Sequence, residues 1–275
     1  MFTLNCKGRL LVVDKPLVMG ILNITPDSFY PESRTATEDA LLQKAGRMLK
    51  EGAALLDIGG QSTRPGSIKI SSTEEAGRVI PAIAAVHQAF PDAFISVDTY
   101  YADVAREAVA AGACIVNDIS AGMLDGAMIN TVAALQVPYV LMHMKGTPQT
   151  MQQEAHYENL TREVLDFFIK QTALLQQKGI RDIIIDPGFG FGKTITHNFT
   201  LLKELSVLGM LRAPLLLGIS RKSFIWKTLG VTPDEALNGT TALHMAGLMS
   251  GAHILRVHDV KEAVETVKLF TSLTA

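Results

Sequence analysis

Short, nearly continuous apolar runs alternate with amphipathic helical stretches along the whole chain. Four segments repeat one design: "EGAALLDIGG", "AGACIVNDIS", "KGIRDIIIDPG" and "SGAHILRVHD". In each, a helical pattern stops at a glycine (Gly52, Gly112, Gly179 or Gly251), the usual left-handed helix terminator, and an apolar run follows within a few residues. Three further runs, "PLVMGILNI", "VPYVLMHM" and "APLLLGIS", begin at Pro16, Pro138 and Pro214, and "FISVDTY" follows Pro91. Helical periodicity occupies Thr37 to Lys50, Asp103 to Ala111, Leu160 to Gln177 and Val260 to Leu273.

Apolar strands alternating with helices predict an α/β fold whose parallel sheet is covered on both faces. Eight such strands in about 250 residues predict a (β/α)8 barrel of the TIM-barrel class. An open doubly wound sheet shares this periodicity. The strand count and the lack of a Gly-rich dinucleotide turn after the first strand favour the barrel. Residues 1–15 carry Gly8 between two short apolar runs, which predicts a β-hairpin plugging the N-terminal mouth. No linker, low-complexity tract or charge block interrupts residues 1–275, so a single domain is expected.

Composition narrows the function classes. The chain is 48% hydrophobic and 19% charged, as a globular enzyme is, and its net charge of −2 provides no basic field for nucleic acid. No apolar run approaches the ~20 residues that span a bilayer. After Lys7 and Arg9 only Leu10 to Val13 precede Asp14, so no signal peptide is expected. The two cysteines, Cys6 and Cys114, are too few for a disulfide framework or a Cys-rich metal site, and a cytoplasmic setting is expected.

In a (β/α)8 barrel the active site lies at the C-terminal strand ends. Read in order, those ends offer Asn23, Asp57 with Gly59 and Gly60, Asp98, Asn117 with Asp118, His143, Asp186, Ser220 with Lys222, and Arg256 with His258. A lone buried acid is more often a satisfied structural partner. A whole ring of polar ends implies a ligand, because unpaired buried polar groups are costly. Asp98, Asn117, Asp186 and Lys222 suit a flat, nitrogen-rich heterocycle, since a carboxylate accepts two parallel N–H bonds from an aminopyrimidine edge. Arg256 and His258, two apart on a strand, point to one side and with Asn23 suit a phosphate or diphosphate.

The segment "DIIIDPGFGFGKT", Asp182 to Thr194, looks at first like a phosphate cradle. Only three residues separate Gly188 from Gly192, where a P-loop has four, and Pro187 stands where its first glycine would be. The acid before the glycines, Asp186, therefore carries more weight than the lysine after them. Two long loops follow the first two strands, "NITPDSFYPESR" and "GGQSTRPGSIKI", and both fit substrate clamps. Phe29 in the first suits stacking on a flat substrate.

With "GILNITPDSF", "DIGGQSTRPGS", "SVDT", "NDIS", "MHMKGTP", "DPGFGFGK", "GISRKSF" and "RVHD" in order on successive strands, nearly the whole chain resembles a dihydropteroate synthase. The resemblance implies condensation of 7,8-dihydropterin-6-ylmethyl diphosphate with p-aminobenzoate, release of diphosphate with Mg²⁺, sulfonamides as inhibitors, and a homodimer. It implies that Asp98, Asn117, Asp186 and Lys222 hold the pterin. Asn23 would meet Mg²⁺ and the diphosphate, with Thr63, Arg64, Arg256 and His258 beside it. Phe29, Pro65, Phe191 and Ser223 would contact p-aminobenzoate, and Asn198 is expected to cap the helix after the glycine segment. The first loop departs from the family's Ser-Asp-Gly-Gly continuation with Tyr30, Pro31, Glu32 and Ser33, which leaves its acid at Glu32 or Asp27. A pterin-dependent methyltransferase barrel would share the acids but lack "STRPGS" and "SRKSF". A phosphate-binding barrel without catalysis would have no use for Asp98 and Asp186 together.

Overall fold

The computed structural model describes residues 1–24, 34–62, 67 and 69–274, with the backbone alone for residues 34–37. Strands β1 (Phe2–Cys6) and β2 (Arg9–Val13) pair antiparallel, Cys6 opposite Arg9. Their turn places Lys7 and Gly8 at φ 55° and 85°, the backbone that a tight hairpin demands. Alternation then sends Leu4, Cys6, Leu11 and Val13 to one face, where they pack on Leu17, Met19, Leu55, Ile115, Val140, Ile184, Leu216 and Ile254. These are the lower interior residues of the barrel, so the hairpin closes its floor. Asn5 N–H anchors it by donating to Asp182 Oδ2 at 2.8 Å.

Eight parallel strands form the barrel: β3 (Leu17–Asn23), β4 (Leu55–Gly59), β5 (Phe94–Asp98), β6 (Ile115–Asp118), β7 (Tyr139–Met142), β8 (Ile183–Asp186), β9 (Leu216–Leu217) and β10 (Ile254–Val257). They run in the order β8-β7-β6-β5-β4-β3-β10-β9, and a bridge between Ile185 and Leu215 draws the two ends together. Around them lie α1 (Arg34–Glu51), α2 (Ser72–Ala89), α3 (Ala102–Ala111), α4 (Met128–Leu135), α5 (Leu160–Gln177), α6 (Ile195–Lys203), α7 (Ser223–Leu229), α8 (Leu237–Met249) and α9 (Val260–Thr274). The expected helices fall within three residues of their observed bounds, and the four terminator glycines all take positive φ. No described helix is long and apolar enough to cross a membrane.

Strand register converts sequence alternation into layers. Asn23, Gly59, Asp98 and Asn117 are successive cross-strand partners at the mouth, and Met142 pairs with Asp186. One layer down, Ile21, Asp57, Ser96 and Ile115 are partners in the same way. Interior positions thus change from apolar at the floor to polar at the top. The outward positions of the same strands, such as Val18, Ile58, Val97, Val116 and Leu141, join the large core against the helices.

Candidate active site

At the centre of the mouth, Arg256 binds two acids at once. Its Nε donates to Asp57 Oδ2 and its Nη2 to Asp98 Oδ2, each at 2.6 Å. Register places the Arg256 backbone beside Met19, a low layer, so the long side chain climbs the barrel axis to reach them. Asn117 Nδ2 donates to the same Asp57 oxygen at 3.0 Å. The Asp57 side chain is fully buried, and its Oδ1 finds no partner among the described residues. Burial drives the Asp98 carboxyl up to about 7, against the lowering by Arg256 and with the help of Asp57, Asp118 and Asp186. Burial also opposes the Arg256 charge, yet Asp57 and Asp98 outweigh it and raise that pKa further. Asp118, next to Asn117, turns outward instead: it accepts from Tyr139 OH at 2.7 Å and from Ser120 and Gly122, a structural knot behind the wall.

Asp186 ends β8 beside Met142 and accepts the Gly188 N–H on Oδ1 at 2.8 Å. Burial raises its pKa, with Lys222 and that N–H pulling the other way. Gly188 has φ 69°, and a β-carbon there would stand 1.9 Å from the His143 carbonyl oxygen, so only glycine allows this turn. Lys222, after the neighbouring strand β9, bonds the Phe189 carbonyl, and its ammonium lies 4.6 Å from the centre of the Phe191 ring. Burial lowers the Lys222 pKa to about 8 while Asp186 resists.

Lys193 is turned into the protein. It is 3% exposed, and its ammonium bonds His143 Nδ1 at 2.9 Å, Gly188 O at 3.0 Å and Phe191 O at 3.1 Å. This cage stitches the glycine segment to the end of β7. Burial brings its pKa down to about 7, and burial with Lys193 keeps His143 neutral as the acceptor. The cap of α6 corrects the expectation for Asn198. Thr194 Oγ1 accepts from His197 N–H at 3.1 Å, and His197 returns the bond. Asn198 is buried four residues past the cap, inside the helix, and its Oδ1 instead accepts the Gly190 N–H at 2.7 Å.

His258 follows β10, with Nδ1 3.0 Å from Ser220 Oγ, and the same Oγ accepts the His258 backbone N–H at 3.1 Å. Burial and the neighbouring Arg256 lower its pKa to about 4, so the ring is neutral at pH 7. Ser223 is exposed as the first residue of α7, and Asn23 is half-buried at the end of β3. The structure therefore gathers Asn23, Asp98, Asn117, Asp186, Phe191, Lys222, Ser223, Arg256 and His258 at one mouth. Phe29, Thr63, Arg64 and Pro65, with Asp27 and the divergent Tyr30 to Ser33, lie outside the described residues. Two residues gain weight that spacing did not give them. Asp57 is the inner partner of Arg256, and only its place in the polar ring hinted at this. Lys193 has no local signal separating a caged ammonium from a phosphate ligand.

A barrel whose mouth carries buried acids, an amide and cations suited to a heterocycle defines the class, and residues 19–258 match the profile of the pterin binding enzymes. Within that class the chain belongs to the dihydropteroate synthase family. It is 44% identical over 271 residues to the dihydropteroate synthase of Escherichia coli strain K12, covering 97% of this chain and 94% of that protein. With the Streptococcus pyogenes dihydropteroate synthase it shares 39% identity, covering 97% and 98%. The solved Yersinia pestis dihydropteroate synthase in a sulfonamide drug complex superposes with a TM-score of 0.93 at 42% identity over 99% of each chain. The Xanthomonas albilineans enzyme with 4-aminobenzoic acid gives 0.92 at 40% identity, covering 99% of this chain and 98% of that one.

Proposed function

We propose that this protein is a dihydropteroate synthase, a transferase that joins 7,8-dihydropterin-6-ylmethyl diphosphate to p-aminobenzoate and releases diphosphate. The observation that carries this reading is Arg256, one guanidinium bridging acids of the heterocycle pocket at the mouth where a leaving group would sit. Among the described residues its Nη1 has no hydrogen-bond partner, which suits an anion.

Asp98, Asn117, Asp186 and Lys222 take the pterin edge. Ring N–H donors favour the charged form of a buried carboxylate, so binding offsets the cost of ionising Asp98 and Asp186. Arg256 and His258 receive the diphosphate. In the tautomer where the Ser220 hydroxyl donates to Nδ1, the ring proton sits on Nε2, a neutral donor for the leaving group. The C–O bond to diphosphate breaks, the pterin methylene gains positive character, and Asp98 and Asp186 stabilise it. The aromatic amine, neutral at pH 7, forms the new C–N bond and then loses a proton. No covalent intermediate with the protein is required. Asn23, Thr63 and Arg64 belong to the diphosphate side, and Phe29, Pro65, Phe191 and Ser223 to the p-aminobenzoate side, where sulfonamides would compete.

Mg²⁺ fits as a companion of the diphosphate. No cluster of three His, Cys, Asp or Glu among the described residues could cage an ion, Asp57 and Asp98 are engaged by Arg256, and Asn23 supplies one hard amide oxygen. Such an ion is held largely by substrate phosphates and would neutralise the leaving charge. A homodimer through the last helices is part of the proposal. Helix α8 exposes Ala242, Ala246 and Met249 along one side, and Leu269 and Leu273 of α9 are exposed as well. The free thiols Cys6 and Cys114 support a cytoplasmic setting. Residues 1–275 act as one domain in this proposal. Purified protein given the pterin diphosphate and Mg²⁺ should release diphosphate once p-aminobenzoate is added, and no release would overturn the assignment.

A further inference from the structure

Two adjacent cross-links join the segments after β9 and β10. The first is the Ser220–His258 pair. One residue further along each segment, Arg221 forks onto Asp259, Nε to Oδ2 and Nη2 to Oδ1, both at 2.8 Å. Two parallel bonds between planar groups fix an angle as well as a distance. The third nitrogen, Nη1, reaches the Asp234 carbonyl at 3.2 Å and the Pro233 carbonyl and Asp234 Oδ1 at 3.4 Å. The Arg221 backbone N–H donates to Thr240 Oγ1 of α8 at 3.1 Å. Arg221 itself has φ 54°, a conformation that side chains disfavour and that these bonds hold in place.

The neighbours of this pair give it a role. Lys222, with its bond to Phe189, and Ser223, which opens α7, directly follow Arg221. His258 directly precedes Asp259, and Arg256 lies on the same strand end. The pair is partly exposed, 24% and 19% by side chain, so its contribution to global stability is small. Its geometric effect falls on the site. Transfer needs the leaving group held at a set distance from the groups that hold the methylene and the amine.

We propose that Arg221 and Asp259 are positioning residues, whose fork sets the spacing between Lys222–Ser223 and Arg256–His258. This rests on the synthase reading. The test compares Arg221→Met, Arg221→Lys, Asp259→Asn and the Arg221→Met/Asp259→Asn double variant, each checked for a wild-type-like fold by circular dichroism. Misplacement of about 1 Å can cost up to about 100-fold, so each single variant should lose on the order of tenfold or more in kcat. The double variant should be no worse than the poorer single, as coupled partners are. Arg221→Lys keeps the charge without the fork and should remain impaired. Affinity for a pterin lacking diphosphate should fall far less than kcat, since Lys222 is the one pterin contact beside the fork and Asp98, Asn117 and Asp186 do not depend on it. Additive losses, a fully active Arg221→Lys, or pterin affinity falling in step with kcat would overturn the proposal. Calorimetric titration with magnesium diphosphate reads the fork without turnover, and both Arg221→Met and Asp259→Asn should bind it more weakly. Wild-type protein that binds diphosphate but releases none from the substrates would overturn the synthase reading alone.

Discussion

Arg256 Nη2 donates to Asp98 Oδ2 at 2.6 Å, so the residue proposed for the diphosphate holds one proposed for the pterin. The same guanidinium neutralises Asp57, whose side chain has no exposure at all. Arg256→Ala should therefore damage the fold as well as turnover. Removing one partner of a buried ion pair costs roughly 3–5 kcal/mol, because the other charge is left stranded. Adding Asp57→Asn should recover much of that stability without restoring activity. Urea unfolding and diphosphate release measure the two effects, and an unchanged unfolding midpoint in Arg256→Ala would refute the structural half.

Asp186→Asn should weaken pterin binding while leaving the glycine segment in place. An asparagine oxygen still accepts the Gly188 N–H, as Oδ1 does at 2.8 Å. The amide nitrogen on the other arm meets a pterin N–H donor to donor, a mismatch of roughly 1–3 kcal/mol, or about 5- to 150-fold in affinity. Calorimetric titration of a pterin into the folded variant checks this. Wild-type affinity would remove Asp186 from the pocket.

Lys193→Met should change how stability depends on pH. The folded-state pKa of Lys193 is lowered from 10.5 to about 7, so between those values the unfolded chain holds a proton that the folded chain lacks. Wild-type stability should therefore rise with pH across that window, by up to ~1.4 kcal/mol per unit for each such group. Below about 7 both states are protonated and the burial penalty is felt in full. The variant should lose this one-proton slope and keep the smaller rise from Lys222, lowered to about 8. Unfolding midpoints measured from neutral to alkaline pH would show it, and parallel curves for the two proteins would contradict a lowered Lys193 pKa.

Gly188→Ala should be destabilising by more than the ~1 kcal/mol typical of a side chain forced to positive φ. The added carbon would fall 1.9 Å from the His143 oxygen, which is backbone and has nowhere to retreat. The Lys193 cage should loosen with it, seen as a lower melting temperature together with weaker pterin binding. A stable variant would mean that the segment after Asp186 can turn another way.

Alternating runs, terminator glycines and proline-led strands determined the barrel from the sequence alone, because strand and helix are chosen by local backbone preference and side-chain periodicity. The polar ring followed with it: once strands are parallel and successive, Asn23, Asp98, Asn117 and Asp186 share one end. Gly188 was legible as a turn, though not the carbonyl that forbids a β-carbon. What tertiary structure decided is who pairs with whom. Arg256 and Asp57 are 199 residues apart, and no local pattern states that one arginine will span two acids. Asn198 resembles a cap until Thr194, four residues earlier, is seen to occupy that role. Lys193 and Lys222 are both lysines beside the same glycine segment. Lys193 is caged by His143 and the segment's own carbonyls, while Lys222 reaches Phe189 O from the end of β9, because barrel closure sets β7, β8 and β9 side by side. A side chain's direction depends on the partners that closure brings to it, and those partners are distant in sequence.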